Sequence, residues 1–152
     1  WYELDLSAGG LYASQPDAEG FRQSLDLLYE FVGAATERYD LDPDRVGLLG
    51  FSQGAITSIA ALLERPEAYR WVAALNGYLA DSHTDRASAA ANKPVFVGCG
   101  SMDQVIPPGR AERAAETLAE GGVDVRFERY GVGHGTTPEE LSDVLEWLEG
   151  RY

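Results

Sequence analysis

Residues 45–62 read RVGLLGFSQGAITSIAAL. A short apolar run, Val46 to Gly50, enters Gly50-Phe51-Ser52-Gln53-Gly54, and a mostly apolar segment leaves it. The run has the character of a strand buried on both faces. Ala55 to Glu64 has that of a helix, stopped near Pro66. A Gly-x-Ser-x-Gly spacing alone is a weak signal in a chain with 17 glycines. Between a strand and a helix it gains weight, because that junction is where a nucleophilic serine sits on a sharp turn. Bulky residues at Gly50 or Gly54 would crowd a strained backbone at Ser52. The helix N-terminus behind it favours negative charge near the hydroxyl. The plainer reading is a glycine-rich turn with Ser52 as a helix N-cap.

Outward from this stretch, strand and helix patterns alternate. Phe21, Leu25, Leu28, Val32, Ala35 and Tyr39 recur at steps of four and three, predicting an amphipathic helix that ends before DLDPD (40–44). Trp71 to Leu75 predicts a second buried strand, followed by a polar loop from Ala80 to Lys93. Pro94 to Val97 predicts a third, ending in Gly98, Cys99 and Gly100. Ala111, Ala114, Ala115 and Leu118 mark a helix closed by Gly121-Gly122. Val123, Val125 and Phe127 alternate with charged residues, as in a strand with one wetter face. The last helix carries Leu141, Val144, Leu145 and Leu148, with Thr137 as N-cap, Pro138 at its first position and Glu140 closing a capping box. This alternation implies an α/β fold: a parallel sheet with helices on both faces, in three layers. Ligands bind such sheets beyond the carboxyl ends of the strands.

A serine hydroxyl needs a base. His134, in GVGHG (131–135), lies between the fourth strand and the last helix, at that end of the sheet. His83, in DSHTD (81–85), competes, but it precedes every plausible orienting acid. Asp103, just past the third strand, is the favoured carboxylate; Asp124 falls inside the fourth strand, and Asp81 and Asp85 suit loop solvation. The order Ser52, Asp103, His134 is that of the α/β-hydrolase fold. Gln53 would offer its backbone N–H to the oxyanion.

Four stretches carry a family resemblance: RVGLLGFSQGAITSIAAL, LNGYL (75–79), DQVIP (103–107) and YGVGHGTTPEEL (130–141). With WYELD (1–5), they resemble the carboxylesterase/phospholipase family of α/β hydrolases, which includes the acyl-protein thioesterases, over essentially the whole chain. VGCGSMD (97–103) departs from the family, which usually shows a His-Gly pair before the acid. The resemblance implies a serine hydrolase for carboxylic esters or thioesters, using Ser52, His134 and Asp103 through an acyl-enzyme. In the family, strands and a glycine-rich loop supplying a second oxyanion donor precede the tryptophan, whereas this chain begins Trp1-Tyr2-Glu3. The expectation is therefore one domain, residues 1–152, that is N-terminally incomplete. Losing one such donor costs on the order of 100- to 1,000-fold in turnover. A serine peptidase or dienelactone-type hydrolase shares the fold and triad order; a truncated, catalytically silent remnant is the reading from another class.

Composition narrows the rest. A chain of 152 residues is long enough to bury about 70% of its unfolded surface. Twenty-five acidic against 12 basic residues give a net charge of −13, which argues against nucleic acid or an anionic membrane as partner. The excess fits either a solvated acidic surface or adaptation to molar salt. No apolar run reaches membrane-spanning length, and the start lacks a signal-peptide pattern. The single cysteine, Cys99, excludes an intrachain disulfide and points to the cytoplasm. Cys99, His83 and His134 are too few for a structural zinc site, and the expected chemistry needs no metal or organic cofactor. An uncovered sheet edge would offer a route to a homodimer.

Overall fold

The computed structural model describes residues 1–7 and 9–151. Two short strands, β1 (Leu4–Asp5) and β2 (Gln15–Pro16), pair antiparallel around a 3-10 turn at Leu11–Ala13. The long helix α1 (Ala18–Tyr39) follows, with Asp17 accepting from the Gly20 N–H at 2.8 Å as its N-cap. Then come β3 (Leu48–Phe51), α2 (Gln53–Glu64), β4 (Val72–Leu75), β5 (Pro94–Gly100), α3 (Pro108–Glu120), β6 (Asp124–Tyr130) and α4 (Pro138–Leu148). The main sheet is parallel in the order β3-β4-β5-β6. Each strand pairs with the next in sequence, so all four carboxyl ends point the same way.

Alternation along β4 divides the core. Val72 and Ala74 belong to a cluster with Ile56, Ile59 and Leu63 of α2 and Leu118 of α3. Ala73 and Leu75 pack on the opposite face with Phe96 and with Val144, Trp147 and Leu148 of α4. Helices therefore cover both faces, as the alternating pattern predicts. Helix α2 is buried continuously from Ala55 to Leu63, since α1 lies over it with Phe21, Leu25 and Tyr29 inward.

Four expectations need correction. Strand β3 is not buried on both faces: among the described residues only β4 pairs with it, and Leu49 and Phe51 remain 54% and 39% exposed. Strand β6 is the other edge, with Val125, Arg126, Phe127 and Glu128 all half-buried, so its two faces are less distinct than their sequence alternation. The polar segment from Ala80 to Lys93 is mostly a 3-10 helix, Asp81–Ala90, anchored by buried His83, Ala87 and Ala90. Helix α4 turns Glu140, Val144, Trp147 and Leu148 inward and leaves Leu141 and Leu145 exposed. An acidic residue thus occupies a core-facing slot. The Thr137 hydroxyl accepts from the Glu140 N–H at 3.1 Å, but neither Glu140 oxygen has a hydrogen-bond partner, so the capping box is only half made.

Candidate active site

Ser52 sits between the end of β3 and the first turn of α2, with φ +56 and ψ −118. Its N–H donates to the Leu75 carbonyl at 2.9 Å, which ties the turn to the end of β4. Its carbonyl accepts from the Ala55 and Ile56 N–H groups and opens the helix. The Ser52 hydroxyl makes no cap bond, so the plain N-cap reading does not hold. The two flanking glycines are not equivalent. A Cβ at Gly50 would collide with the Gly54 carbonyl and the Ala55 nitrogen, whereas one at Gly54 would meet only the Trp1 ring at 3.6 Å, an ordinary contact. The expectation of crowding on both sides is therefore met at Gly50 alone.

The structure brings the three predicted side chains together. The Ser52 Oγ lies 3.0 Å from His134 Nε2, and His134 Nδ1 lies 2.7 Å from Asp103 Oδ2. Asp103 follows β5, and its side chain is fully buried. Its other oxygen, Oδ1, accepts from the Val105 and Ile106 N–H groups at 2.8 and 3.0 Å. The carboxylate is thereby fixed from two sides. His134 occupies the middle of a tight turn in which the Gly135 N–H donates to the Gly133 carbonyl at 2.9 Å. That turn follows β6, and the Met102 N–H donates to the Val132 carbonyl at 3.0 Å, joining it to the segment that carries Asp103. The Phe51 ring covers the imidazole at a centroid distance of 5.0 Å.

Chemically, the chain Oγ···Nε2, Nδ1···Oδ2 can draw a proton from the hydroxyl into the imidazole while the carboxylate fixes the ring tautomer. Gln53 is the first residue of α2, where a backbone N–H has no partner within the helix. Its side chain is anchored: Nε2 donates to the Tyr2 carbonyl at 3.1 Å. Tyr2, buried, lay in WYELD, but nothing in its residue type announced contact with Gln53.

The other candidates lie elsewhere. His83 is buried, with its ring nitrogens at Glu64 Oε1 (3.1 Å) and Ser82 Oγ (2.9 Å) and its ring edge-on to Phe21. Burial opposes charge on Glu64, but hydrogen bonds from Arg22, Tyr29 and His83 outweigh it and hold the carboxyl down at about 2. Asp81, Asp85 and Asp124 are exposed. Burial pushes the Cys99 thiol up to about 11, leaving it a poor nucleophile. Tyr12 and Gln15, between β1 and the end of β2, line a cavity of about 340 Å³ shared with Tyr78, Asp81 and Arg110. Ile106 is buried, and its N–H serves Asp103. Among the described residues no cluster suited to a metal ion occurs, and no helix is long and apolar enough to cross a membrane.

The profile of the phospholipase/carboxylesterase family matches residues 1–151. The chain is 27% identical over 157 residues to acyl-protein thioesterase 1 of Candida albicans, covering 98% of this chain and 67% of that protein. It is 32% identical over 141 residues to acyl-protein thioesterase 1 of Kluyveromyces lactis, covering 87% and 60%. The chain thus spans about two thirds or less of the length of these curated relatives. The crystal structure of esterase PE8 superposes with a TM-score of 0.84 at 26% identity, over 100% of this chain and 70% of that one. The shared architecture is the α/β-hydrolase fold.

Proposed function

Because the chain belongs to the phospholipase/carboxylesterase family, we propose that it is a serine hydrolase of carboxylic esters or thioesters, working within one domain, residues 1–152. The observation that carries this reading is the continuous relay from Ser52 Oγ through His134 to Asp103, at 3.0 and 2.7 Å. Ser52 attacks the acyl carbonyl as His134 Nε2 takes its proton. Asp103, held by the Val105 and Ile106 N–H groups, stabilises the imidazolium and keeps Nε2 facing the serine. The Gln53 N–H, with the N-terminus of α2 behind it, stabilises the developing oxyanion. His134 then returns the proton to the departing alcohol or thiol, leaving an acyl-serine. Water, deprotonated by the same imidazole, releases the acid and restores Ser52. The names of the relatives support thioesters beside oxygen esters as substrates.

The test is a fluorophosphonate probe read by intact-mass spectrometry, with p-nitrophenyl ester turnover measured alongside. One adduct on the wild-type chain, none on Ser52→Ala, and loss of most turnover in Ser52→Ala and His134→Ala are expected. A mutant with near wild-type turnover would overturn the assignment. A folded wild-type chain that takes no adduct would favour the silent remnant.

A further inference from the structure

Asn76 ends β4 in a conformation that few residue types accept. Its φ is +52, in the left-handed region where asparagine is tolerated far better than branched or bulky side chains. It is 1% exposed. Its backbone N–H donates to the Gly98 carbonyl at 2.8 Å, continuing the pairing of β4 with β5. The residue before it, Leu75, receives the N–H of Ser52. Backbone alone therefore ties this position to the serine turn.

The side chain reaches the other two loops. Asn76 Oδ1 accepts from the Gly100 N–H at 2.8 Å, three residues before Asp103. Asn76 Nδ2 donates to the Gly135 carbonyl at 2.8 Å, one residue after His134. The partners themselves fix the orientation of the amide, since an N–H requires the oxygen and a carbonyl requires the nitrogen. The two loops also touch directly: a Cβ at Gly100 would collide with the Gly133 carbonyl. A carboxamide can accept from one loop while donating to the other. An aspartate would set a carboxylate oxygen against the Gly135 carbonyl, and an aliphatic residue would leave both buried backbone groups unpaired.

We propose that Asn76 is a positioning residue. Its carboxamide clamps the His134 turn onto the end of β5, so that the imidazole stands in line between Ser52 and Asp103. The inference rests on the hydrolase reading for its effect on turnover, but the placement of the ring can be observed without turnover.

The test compares wild-type protein with Asn76→Gly, which accepts the same φ and removes both side-chain bonds. Two readouts are taken on the folded proteins: the NMR signal of the His134 Nδ1 proton held by Asp103, and steady-state hydrolysis of a p-nitrophenyl ester. The expected result is loss or exchange broadening of that signal, with kcat lowered roughly 10- to 100-fold, as a misplacement of about 1 Å produces, and KM little changed. Retention of the signal, or of kcat within twofold, overturns the proposal, because a residue serving stability alone would move neither in folded protein. Should Asn76→Gly not fold, Asn76→Asp, which keeps the acceptor for Gly100 and loses the donor to Gly135, is judged by the same two readouts. If the wild-type chain turns over no ester, the hydrolase reading fails and the His134 signal alone decides the clamp.

Discussion

Glu140 and Gly98 meet inside the core: a Cβ on the glycine would collide with Glu140 Oε1. Only a glycine on β5 leaves room for this carboxyl, which is fully buried and accepts no hydrogen bond at either oxygen. Burial lifts it from 4.5 to about 7, against a weaker pull from the nearby Thr137 backbone. Between those values the folded chain holds a proton that the unfolded chain has released. Stability should therefore fall as pH rises from about 4.5 to about 7 and level off above. At about 1.4 kcal/mol per pH unit, the whole span is on the order of 3 kcal/mol. Glu140→Gln should remove this slope, and urea titrations at pH 5 and pH 8 on both proteins check it.

Glu64 bends the profile the other way. Its carboxyl is held at about 2 although burial opposes its charge, because Arg22, Tyr29 and His83 all bond to it. Here the folded-state value is the lower one, so the contribution is present above about 4.5 and is lost as pH falls toward 2. Acid unfolding of Glu64→Gln, followed by circular dichroism, should show a shallower loss over that window than wild type. An unchanged acid limb would mean that the cluster adds nothing to stability.

The unequal glycines around Ser52 give a paired expectation. Gly50→Ala forces the start of α2 away from β3 and should cost about 1–3 kcal/mol, as overpacking does. Gly54→Ala meets only the exposed Trp1 ring and should stay within about 0.5 kcal/mol of wild type. Denaturant midpoints at constant m-value decide between the two.

Asp103→Asn keeps the shape of the acid but removes its charge. With its amide oxygen kept on the Val105 and Ile106 N–H groups, its NH₂ faces His134 Nδ1, which must then accept, so the ring proton moves to Nε2 and the base facing Ser52 is lost. If the proposed mechanism holds, kcat on an activated ester should drop on the order of 10⁴-fold while thermal unfolding shifts little. A loss below tenfold would remove Asp103 from the relay.

Much of the architecture was legible because burial and periodicity agree in β4, β5, α2 and α3. The misreadings have physical causes. An apolar run such as Val46 to Gly50 records hydrophobicity but not whether a second strand lies alongside, so the exposed Leu49 edge was invisible. Periodicity placed Leu141 and Leu145 in the buried stripe of α4 beside Val144 and Leu148, which are indeed buried, because nothing in sequence shows that Gly98 leaves space for the Glu140 carboxyl opposite. The 3-10 segment Asp81–Ala90 is polar and lacks a helical stripe, yet the Glu64 bond to His83 draws it inward. Ser52, Asp103 and His134 could be named because strand-end position and residue chemistry suffice for each. Asn76, Tyr2 and the Val105 and Ile106 amides act through contacts made only when separate loops converge, and residue type carries no trace of those.

If the proposed mechanism holds, the backbone of Ser52 sets stability against activity at a single residue. A serine held at φ +56 and ψ −118 costs of order 1–3 kcal/mol, and glycine adopts such angles freely. Ser52→Gly should therefore unfold at a higher temperature than Ser52→Ala, and selection for thermostability alone would favour discarding the hydroxyl. A search for hardier versions of this chain has to monitor turnover from its first round, because the stabilising substitution would also remove the proposed nucleophile.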